Sequence, residues 1–357
     1  MKNNKIIVFI SIIISLLFVE LFCSLIIFKK GDYNFKNANM IFSEGKVFRN
    51  IDSFFTYEPN QEITAANYYY IGEEFVEVYK YNIKTNNLGL VQENDIYKNL
   101  PSILILGDSF TEGQGAVPWI DNFGGKYKDY QIINGGLMGT GFKQFELLEE
   151  YLSKYNIRKV FILFIGHDLR RDIFNFSPQQ IKCLNDQNKC EGDEIFYGFD
   201  YSKKNPKEFL ENLREKKSKK IEDQSISLKK IRRGIKRYLL NLYVIKLPHD
   251  FLRSRFYESK NIKILENFDS IKRLSNKYDK DLFFVHLMTK NEIFFRKKTY
   301  ESAYAKKFIK KITNNYYECN FDNNLELFYK YDGHPNSNGY KYLFNCISNI
   351  FGKTIIE

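Results

Sequence analysis

The stretch Ile103-Leu-Ile-Leu-Gly-Asp-Ser-Phe-Thr-Glu-Gly113 decides the fold that this sequence predicts. The apolar run 103–106 is typical of a short buried strand, and the glycines around Ser109 predict that it ends in a tight turn. Such a turn places the Ser109 hydroxyl at the carboxyl edge of a sheet, where ligands of open α/β sheets bind. Its backbone N–H groups point outward, which suits a developing oxyanion. The alternative is that Ser109 caps the next helix, because serine is a favoured N-cap residue.

A second polar segment, Asp332-Gly-His-Pro-Asn-Ser-Asn-Gly339, precedes a helix-periodic stretch far downstream. A serine at one strand end and an Asp/His pair at another are the groups that nucleophilic catalysis needs. His334 is the candidate base for Ser109, and Asp332 is the acid that would orient it. His249 and His286 are weaker candidates, because one lies in an insertion and the other in an apolar strand.

These segments resemble the sequence blocks of the SGNH (GDSL) hydrolase superfamily over roughly residues 98–352. The blocks are Gly107-Asp-Ser-Phe110, Asn134-Gly-Gly-Leu-Met-Gly139, Phe164-Ile-Gly-His-Asp168 and the segment with Asp332 and His334. The resemblance implies a three-layer α/β/α sandwich with a mostly parallel, flavodoxin-like sheet. It also implies an oxyanion hole formed by the backbone N–H groups of Ser109 and Gly139 and by a third, side-chain donor.

Two positions depart from the superfamily pattern. The third oxyanion donor of the family is an asparagine, and His167 stands at that position; a histidine can also present an N–H to an oxyanion. The usual Asp-x-x-His spacing is replaced by Asp-x-His, with Tyr331 three residues before His334. This spacing resembles the envelope-polysaccharide acetyltransferase and acetylesterase branch. Asp168 matches the acid that closes the third block, and we expect it to be structural.

The rest of the chain between 98 and 352 alternates strands with helices, which predicts an α/β fold. Strands are expected at 103–106, 131–134, 160–165 and 282–287. Helices are expected at about 141–155 and 337–351, with further helical stripes ending at Tyr278 and running over 304–312. An insertion at about 175–260 separates the third and fourth strands. It contains an apolar stripe, 228–242, flanked by basic residues, which would either dock on the protein's own core or lie on an anionic membrane surface.

The N-terminus predicts one transmembrane helix. After a short tail, residues 1–5, the apolar run 6–28 is long enough to span a bilayer, and no small-residue cleavage site follows it. Glu20 within the span would mark a helix contact or reach the interface. The lysines on the two sides are nearly balanced, so charge does not set the orientation. Residues 29–97 lack the composition of a flexible linker and predict an ordered extension packed on the main domain, with strands near 68–70 and 75–79.

Composition adds limits on function. The net charge of +11 accompanies a bias towards lysine, asparagine and isoleucine, and no nucleic-acid-binding motif occurs, so nucleic acid is not an expected partner. No metal-ligand spacing or phosphate loop is found, so neither metal nor cofactor is expected. Four cysteines lie outside the span: Cys183, Cys190, Cys319 and Cys346. Their even number fits disulfides in an oxidising compartment, with Cys183 and Cys190 favoured as a pair; the alternative is four free thiols in a cytosolic domain.

The sequence therefore predicts a single-pass membrane protein whose catalytic domain faces the periplasm or the cell exterior. We expect it to cleave or transfer an O-acyl ester, with acetyl on a cell-envelope glycan as the favoured substrate and a small ester as the minimal one. An esterase and an O-acyltransferase share the acyl-enzyme step, so the sequence does not separate them. The alternative from another class is a non-catalytic glycan-binding or envelope-assembly factor on the same fold.

Overall fold

A computed structural model describes residues 38–171 except 46, 52, 72–73 and 117–118, together with residues 199–222 and 262–355. It also describes six helical positions between 11 and 20. Residues 35–207 and 262–357 form one compact unit, and residues 1–34 and 208–261 form another.

The centre of the larger unit is a five-stranded sheet in which every pairing is parallel. Its strands are β6 Ser102–Gly107, β7 Gln131–Gly136, β8 Ile157–Phe164, β9 Leu282–Leu287 and β10 Tyr316–Cys319. The spatial order is β7-β6-β8-β9-β10, which is the order of doubly wound, flavodoxin-like sheets. The strand order reverses between β6 and β8, so the crevice that binds ligands in such sheets lies at the carboxyl ends of these two strands.

Helices flank both faces of this sheet, because its buried strands alternate their side chains between two apolar layers. The helices are α1 Ser109–Glu112, α2 Asn122–Lys126, α3 Phe142–Leu152, α5 Ile262–Tyr278, α6 Lys290–Phe294, α7 Tyr300–Ile309 and α8 Ser337–Ile355; α4, Pro206–Glu222, lies in the insertion. Phe161 of β8 packs on Phe351 of α8, with ring centroids 4.0 Å apart. Phe164 points to the other face and packs on Phe142 of α3 at 5.5 Å. This arrangement is consistent with the predicted three-layer sandwich.

The segment before the main sheet forms antiparallel structure. Its strands are β1 Ala38–Phe42, β2 Phe48–Ile51, β3 Phe54–Tyr57, β4 Glu62–Ile71 and β5 Glu74–Lys84. Strands β1, β4 and β5 make a three-stranded sheet in the order β1-β4-β5, and β2 pairs with β3 as a hairpin. Tyr57 and Ile63 are fully buried in an apolar cluster that also contains Leu137, which follows β7 of the main sheet. This antiparallel region therefore packs directly on the part of the fold that carries the expected oxyanion loop.

A disulfide joins Cys319, at the end of β10, to Cys346 of α8, with the two Cα atoms 6.1 Å apart. The sequence did not favour this pair over others. Cys183 and Cys190, the favoured pair, lie outside the described residues, as do His249 and the amphipathic stripe 228–242.

Most of the predicted membrane span, residues 6–28, also lies outside the described positions. No helix in the part of the chain that the structure describes is both long enough and apolar enough to cross a bilayer.

Candidate active site

Ser109 lies at the carboxyl end of the sheet, two residues after β6, and is the first residue of α1. The helix is capped by Asp108, whose Oδ1 accepts the backbone N–H of Phe110 at 3.0 Å. The alternative in which Ser109 is the cap is therefore wrong. Because the capping position is already filled, the Ser109 hydroxyl is available to a different partner.

That partner is His334. Its Nε2 lies 2.8 Å from Ser109 Oγ, although 225 positions separate the two residues in the sequence. The imidazole lies against the rings of Phe110 and Tyr79, at centroid distances of 5.5 and 6.3 Å. Its side chain keeps 20% of its surface exposed, whereas Ser109 is buried. The histidine is thus held within hydrogen-bond reach of the serine and is still open to a ligand.

Asp332 completes the arrangement from the same loop. Its Oδ1 accepts the backbone N–H of His334 at 2.8 Å and also contacts His334 Nδ1. A proton on Nδ1 leaves Nε2 as the acceptor, which is the tautomer that a general base for Ser109 requires. The short Asp-x-His spacing therefore still allows the carboxylate to reach the imidazole.

The negative charge of Asp332 and the positive charge of protonated His334 stabilise each other. Burial raises the pKa of Asp332, but the charge of His334 and hydrogen bonds from His334 and Tyr69 outweigh it and hold that pKa well below its usual range. Burial lowers the pKa of His334, and the neighbouring carboxylate of Asp332 more than offsets this and raises the pKa above its ordinary value. Asp332 is consequently ionised at neutral pH and favours the imidazolium that forms when Ser109 gives up its proton.

The second oxygen of Asp332 is held by the antiparallel sheet. Tyr69 Oη donates to Oδ2 at 2.8 Å, and Asn67 Nδ2 donates at 3.0 Å. Tyr79 Oη lies 3.4 Å away and itself accepts from Asn67 and from Gln114. All lone pairs of a carboxylate that is only 1% exposed thus find donors within the protein.

Lys290, at the start of α6, secures the backbone of the same loop. Its ammonium donates to the carbonyl oxygens of Tyr329 and Lys330 at 2.6 and 2.8 Å, and to that of Asp332 at 3.3 Å. Burial lowers the pKa of Lys290, while the charge of Asp332 favours its protonated form. A buried cation beside the loop therefore adds a second restraint on the position of Asp332.

Two backbone N–H groups are free at the positions that the resemblance implies. Within the described part of the chain, neither the N–H of Ser109 nor that of Gly139 donates a hydrogen bond to another group. Ser109 occupies the first turn of a helix, where N–H groups have no intrahelical acceptor. Gly139 has a φ of +74°, a left-handed conformation that favours glycine.

Glu112, the last residue of α1, fixes the loop that leads to Gly139. Its Oε2 accepts the N–H of Met138 at 2.6 Å, and its Oε1 accepts the hydroxyl of Tyr57 at 3.0 Å. A Cβ on Gly136 would lie only 2.2 Å from the Glu112 nitrogen, so the glycine permits α1 to pack against the end of β7. Burial raises the pKa of Glu112 to about 8, against the hydrogen bonds from Met138 and Tyr57, which lower it.

Asp168 has the structural role that the sequence suggested. Its Oδ2 accepts the backbone N–H of Ile165 at 3.0 Å, and its Oδ1 lies 2.7 Å from the guanidinium of Arg171. The same guanidinium nitrogen lies 2.7 Å from Oδ2 of Asp108. Arg171 thus ties the end of β8 to the residue that caps the Ser109 helix.

His167 lies in the short 3-10 helix Gly166–Arg170 that follows β8. The parallel pairing of Gly107 with Leu163 brings this helix to the same sheet edge as Ser109. In the described residues, His167 makes no hydrogen bond to Ser109 or to the triad. Burial lowers the pKa of His167, and Arg170 and Arg171 add to this effect. The imidazole is therefore neutral at pH 7 and carries one N–H that can be donated.

His286, the other histidine weighed in the sequence, is fully buried in β9. Its Nε2 lies 3.1 Å from Ser302 Oγ and 3.6 Å from Oε2 of Glu292, which is also buried. This cluster has no exposed surface through which a substrate could reach it, so His286 is not a second base for the site. Among the described residues there is also no group of three or more His, Cys, Asp or Glu side chains that could hold a metal ion.

The motifs located the triad but missed the residues that surround it. Asn67, Tyr69 and Lys290 are separated from any motif and follow no spacing rule that connects them to Asp332. Arg171 lies three residues after the third block, but no spacing rule connects it to Asp108. Alternation along a strand places Asn67 and Tyr69 on one face, which is the only local signal that they act together. Glu112 stood within the opening motif, and its position one turn after Ser109 places the two residues on one face of a helix.

Comparison of the chain with models of known protein families gives no match, and comparison with curated proteins gives none either. The functional argument therefore depends on the geometry of the site and on the motifs that resemble the SGNH superfamily.

Proposed function

We propose that this chain is a serine hydrolase of the SGNH type that cleaves or transfers an O-acyl ester through an acyl-enzyme on Ser109. The observation that carries the proposal is the 2.8 Å distance from Ser109 Oγ to His334 Nε2, with Asp332 on the other imidazole nitrogen. A nucleophile, a base and an orienting acid in this order are the groups that acyl transfer requires.

In this mechanism, Ser109 Oγ attacks the carbonyl carbon of the ester while its proton passes to His334 Nε2. The negative charge that develops on the carbonyl oxygen is stabilised by the N–H groups of Ser109 and Gly139, and by a donor from His167. The C–O bond to the alcohol then breaks, and His334 returns the proton to the departing oxygen. Water or an acceptor hydroxyl attacks the acyl-serine by the reverse sequence, which gives hydrolysis or transfer respectively.

The substrate class is proposed on two grounds. The Asp-x-His spacing resembles the branch that acts on acetylated envelope polysaccharides, and the apolar run 6–28 predicts a membrane anchor. We therefore propose an acyl group, with acetyl favoured, on a cell-envelope glycan, and a catalytic domain on the periplasmic or outer side of the membrane.

One observation favours a second candidate, a non-catalytic glycan-binding or envelope-assembly factor. His167 replaces the asparagine that serves the superfamily as oxyanion donor, and it makes no hydrogen bond to the triad within the described residues. Reaction of the full-length protein with a serine-reactive fluorophosphonate separates the two candidates. Labelling that maps to Ser109 and is lost in Ser109→Ala supports the enzyme.

Triad variants test the assignment of roles. We expect Ser109→Ala and His334→Ala each to lower kcat on a small aryl acetate by on the order of 10⁶-fold, and Asp332→Asn by on the order of 10⁴-fold. The loss in kcat is smaller for Asp332→Asn because the carboxylate orients and stabilises the imidazole without accepting the proton. Ser153→Ala, which removes an exposed hydroxyl bonded only to Glu150, is the matched control and should keep full activity. Wild-type kcat in Ser109→Ala would refute Ser109 as the nucleophile, whereas a wild-type protein that turns over no ester and is not labelled would favour the assembly factor.

A further inference from the structure

The carboxylate of Asp332 is divided between two parts of the fold. Its Oδ1 is occupied by His334, through the backbone N–H and through Nδ1. Its Oδ2 receives the hydroxyl of Tyr69 at 2.8 Å and the amide of Asn67 at 3.0 Å. Both donors come from β4, more than 260 positions earlier in the chain. The antiparallel sheet thus touches the triad directly.

The Asp-x-His spacing makes these outside donors necessary. Because Asp332 is only two residues from His334, the same oxygen serves both groups of His334, and the other oxygen turns away from the loop. A carboxylate oxygen that is buried without donors carries a large desolvation cost. Asn67 and Tyr69 supply those donors, and Tyr79 connects them to Gln114, which follows the Ser109 helix.

We propose that Tyr69 and Asn67 are positioning residues of the active site, which hold Asp332 in the orientation that serves His334. Only the expected effect on turnover rests on the proposed function. The hydrogen bonds that position Asp332 and His334 do not depend on which substrate is bound. If the proposal is correct, the antiparallel sheet positions the catalytic residues and does not only support the domain.

The consequence for His334 follows from charge. A donor to Oδ2 spreads the negative charge of Asp332 and so weakens its pull on the imidazolium. Loss of the Tyr69 hydroxyl should therefore raise the affinity of His334 for its proton, provided that Asn67 still keeps the carboxylate in place. The charged and titratable groups that face His334 or its carboxylate are otherwise unchanged by this substitution: Asp108, Glu112, Arg171, Tyr79 and Lys290.

The test uses the small number of imidazoles in the chain. Full-length protein labelled at histidine gives signals from only four residues, and His334→Asn assigns one of them. In Tyr69→Phe we expect the pKa of His334 to rise by roughly half a unit, with the acidic limb of kcat/KM moving in the same direction. We also expect a fewfold loss in kcat on the aryl acetate at the pH plateau. Tyr68→Phe is the matched control, because it removes a neighbouring hydroxyl whose partner is Glu77.

A second variant protects the test against misfolding. Asn67→Ala removes the other donor to Oδ2, and its melting temperature is measured beside that of Tyr69→Phe. The proposal is overturned if the His334 pKa and the acidic limb in both folded variants match those of Tyr68→Phe. If the wild-type protein turns over no ester but the His334 pKa still moves in Tyr69→Phe, the proposed function fails and the positioning role stands.

Discussion

His167 is the residue at which this chain departs most from the superfamily that it resembles. It lies at the same sheet edge as Ser109, and its neutral imidazole has an N–H to donate. If it serves as the third oxyanion donor, His167→Ala should lower kcat by roughly 10²–10³-fold with little change in KM, because the bond forms only as charge develops. His167→Asn, which restores the family residue, should recover much of that loss. The measurement is steady-state turnover of a small aryl acetate.

The melting temperatures of both His167 variants serve as the control. A side chain that only packs should change stability and leave turnover intact. Unchanged kcat in His167→Ala would therefore remove this residue from the oxyanion hole and leave the N–H groups of Ser109 and Gly139 as its donors.

Glu112 predicts a pH dependence of stability. Burial raises its pKa in the folded protein to about 8, whereas its ordinary value is 4.5. Between these pH values the folded state binds the extra proton, so this residue destabilises the fold progressively as pH rises from 4.5 to 8. Glu112→Gln is neutral throughout and lacks this slope. We expect the variant to gain about 3.5 kcal/mol relative to wild type between pH 5 and pH 8.

Urea unfolding at the two pH values measures this difference. Glu146→Gln is a suitable control, because hydrogen bonds from Arg273 and Ser270 outweigh burial and lower the pKa of Glu146 to about 2. Its ionisation therefore does not change between pH 5 and pH 8, and neither should the stability difference of its variant. If the free energies of unfolding of Glu112→Gln and wild type differ by the same amount at both pH values, Glu112 is not protonated in the folded protein as its burial predicts.

At the level of elements, the strands of the main sheet were predictable because their side chains are buried on both faces. The runs 103–106, 131–134, 160–165 and 282–287 correspond to β6, β7, β8 and β9. The runs 103–106, 160–165 and 282–287 are nearly continuous apolar sequence, whereas 131–134 has only two apolar residues and was indicated by the glycine pair that follows it. The helices α3, α5 and α8 also lie where helical periodicity placed them, and α7 overlaps the predicted stripe 304–312 but begins at 300 and ends at 309.

The edge strand β10 and the antiparallel strands were predicted poorly, for a physical reason. Strand β10, Tyr316–Cys319, is four residues long and only its two end residues are buried, so it lacks the apolar run of a central strand. Strands β1 to β3 are only four or five residues long, so they contain too few positions to show the alternation of a strand. Strands β4 and β5 were expected near 68–70 and 75–79 but extend over 62–71 and 74–84, since cross-strand pairing lengthens them.

In the site, too, local features were predictable and contacts between distant parts of the chain were not. Ser109, Asp332 and His334 were predictable because each belongs to a local motif whose spacing reflects backbone geometry. Asn67 and Tyr69 contact Asp332 across more than 260 positions, and a single sequence contains no record of such a contact. Local patterns therefore identified the reacting groups, whereas the groups that hold them required the structure.

At the scale of the whole molecule, the disulfide Cys319–Cys346 closes a loop over the segment that carries two members of the triad. Cys319 is fully buried at the end of β10, and Cys346 lies within α8, with a sequence separation of 27. Asp332 and His334 fall between them. A covalent link at this place limits how far β10 and α8 can separate when the fold opens.

We expect Cys319→Ala/Cys346→Ala to lower the free energy of unfolding by about 3 kcal/mol, since the crosslink restricts the unfolded chain in a loop of this length. Lys290 still holds the Asp332 loop, so kcat should be retained in the absence of denaturant and lost at a lower urea concentration than in the wild type. The double alanine variant and its parent both carry Cys183→Ser and Cys190→Ser. In the parent, Cys319–Cys346 is then the one intramolecular disulfide outside the predicted span that a reductant can open. The reductant should then destabilise the parent to the level of the double alanine variant and leave that variant unchanged. Equal unfolding midpoints for the oxidised parent and the variant would show that this bond does not restrain the fold.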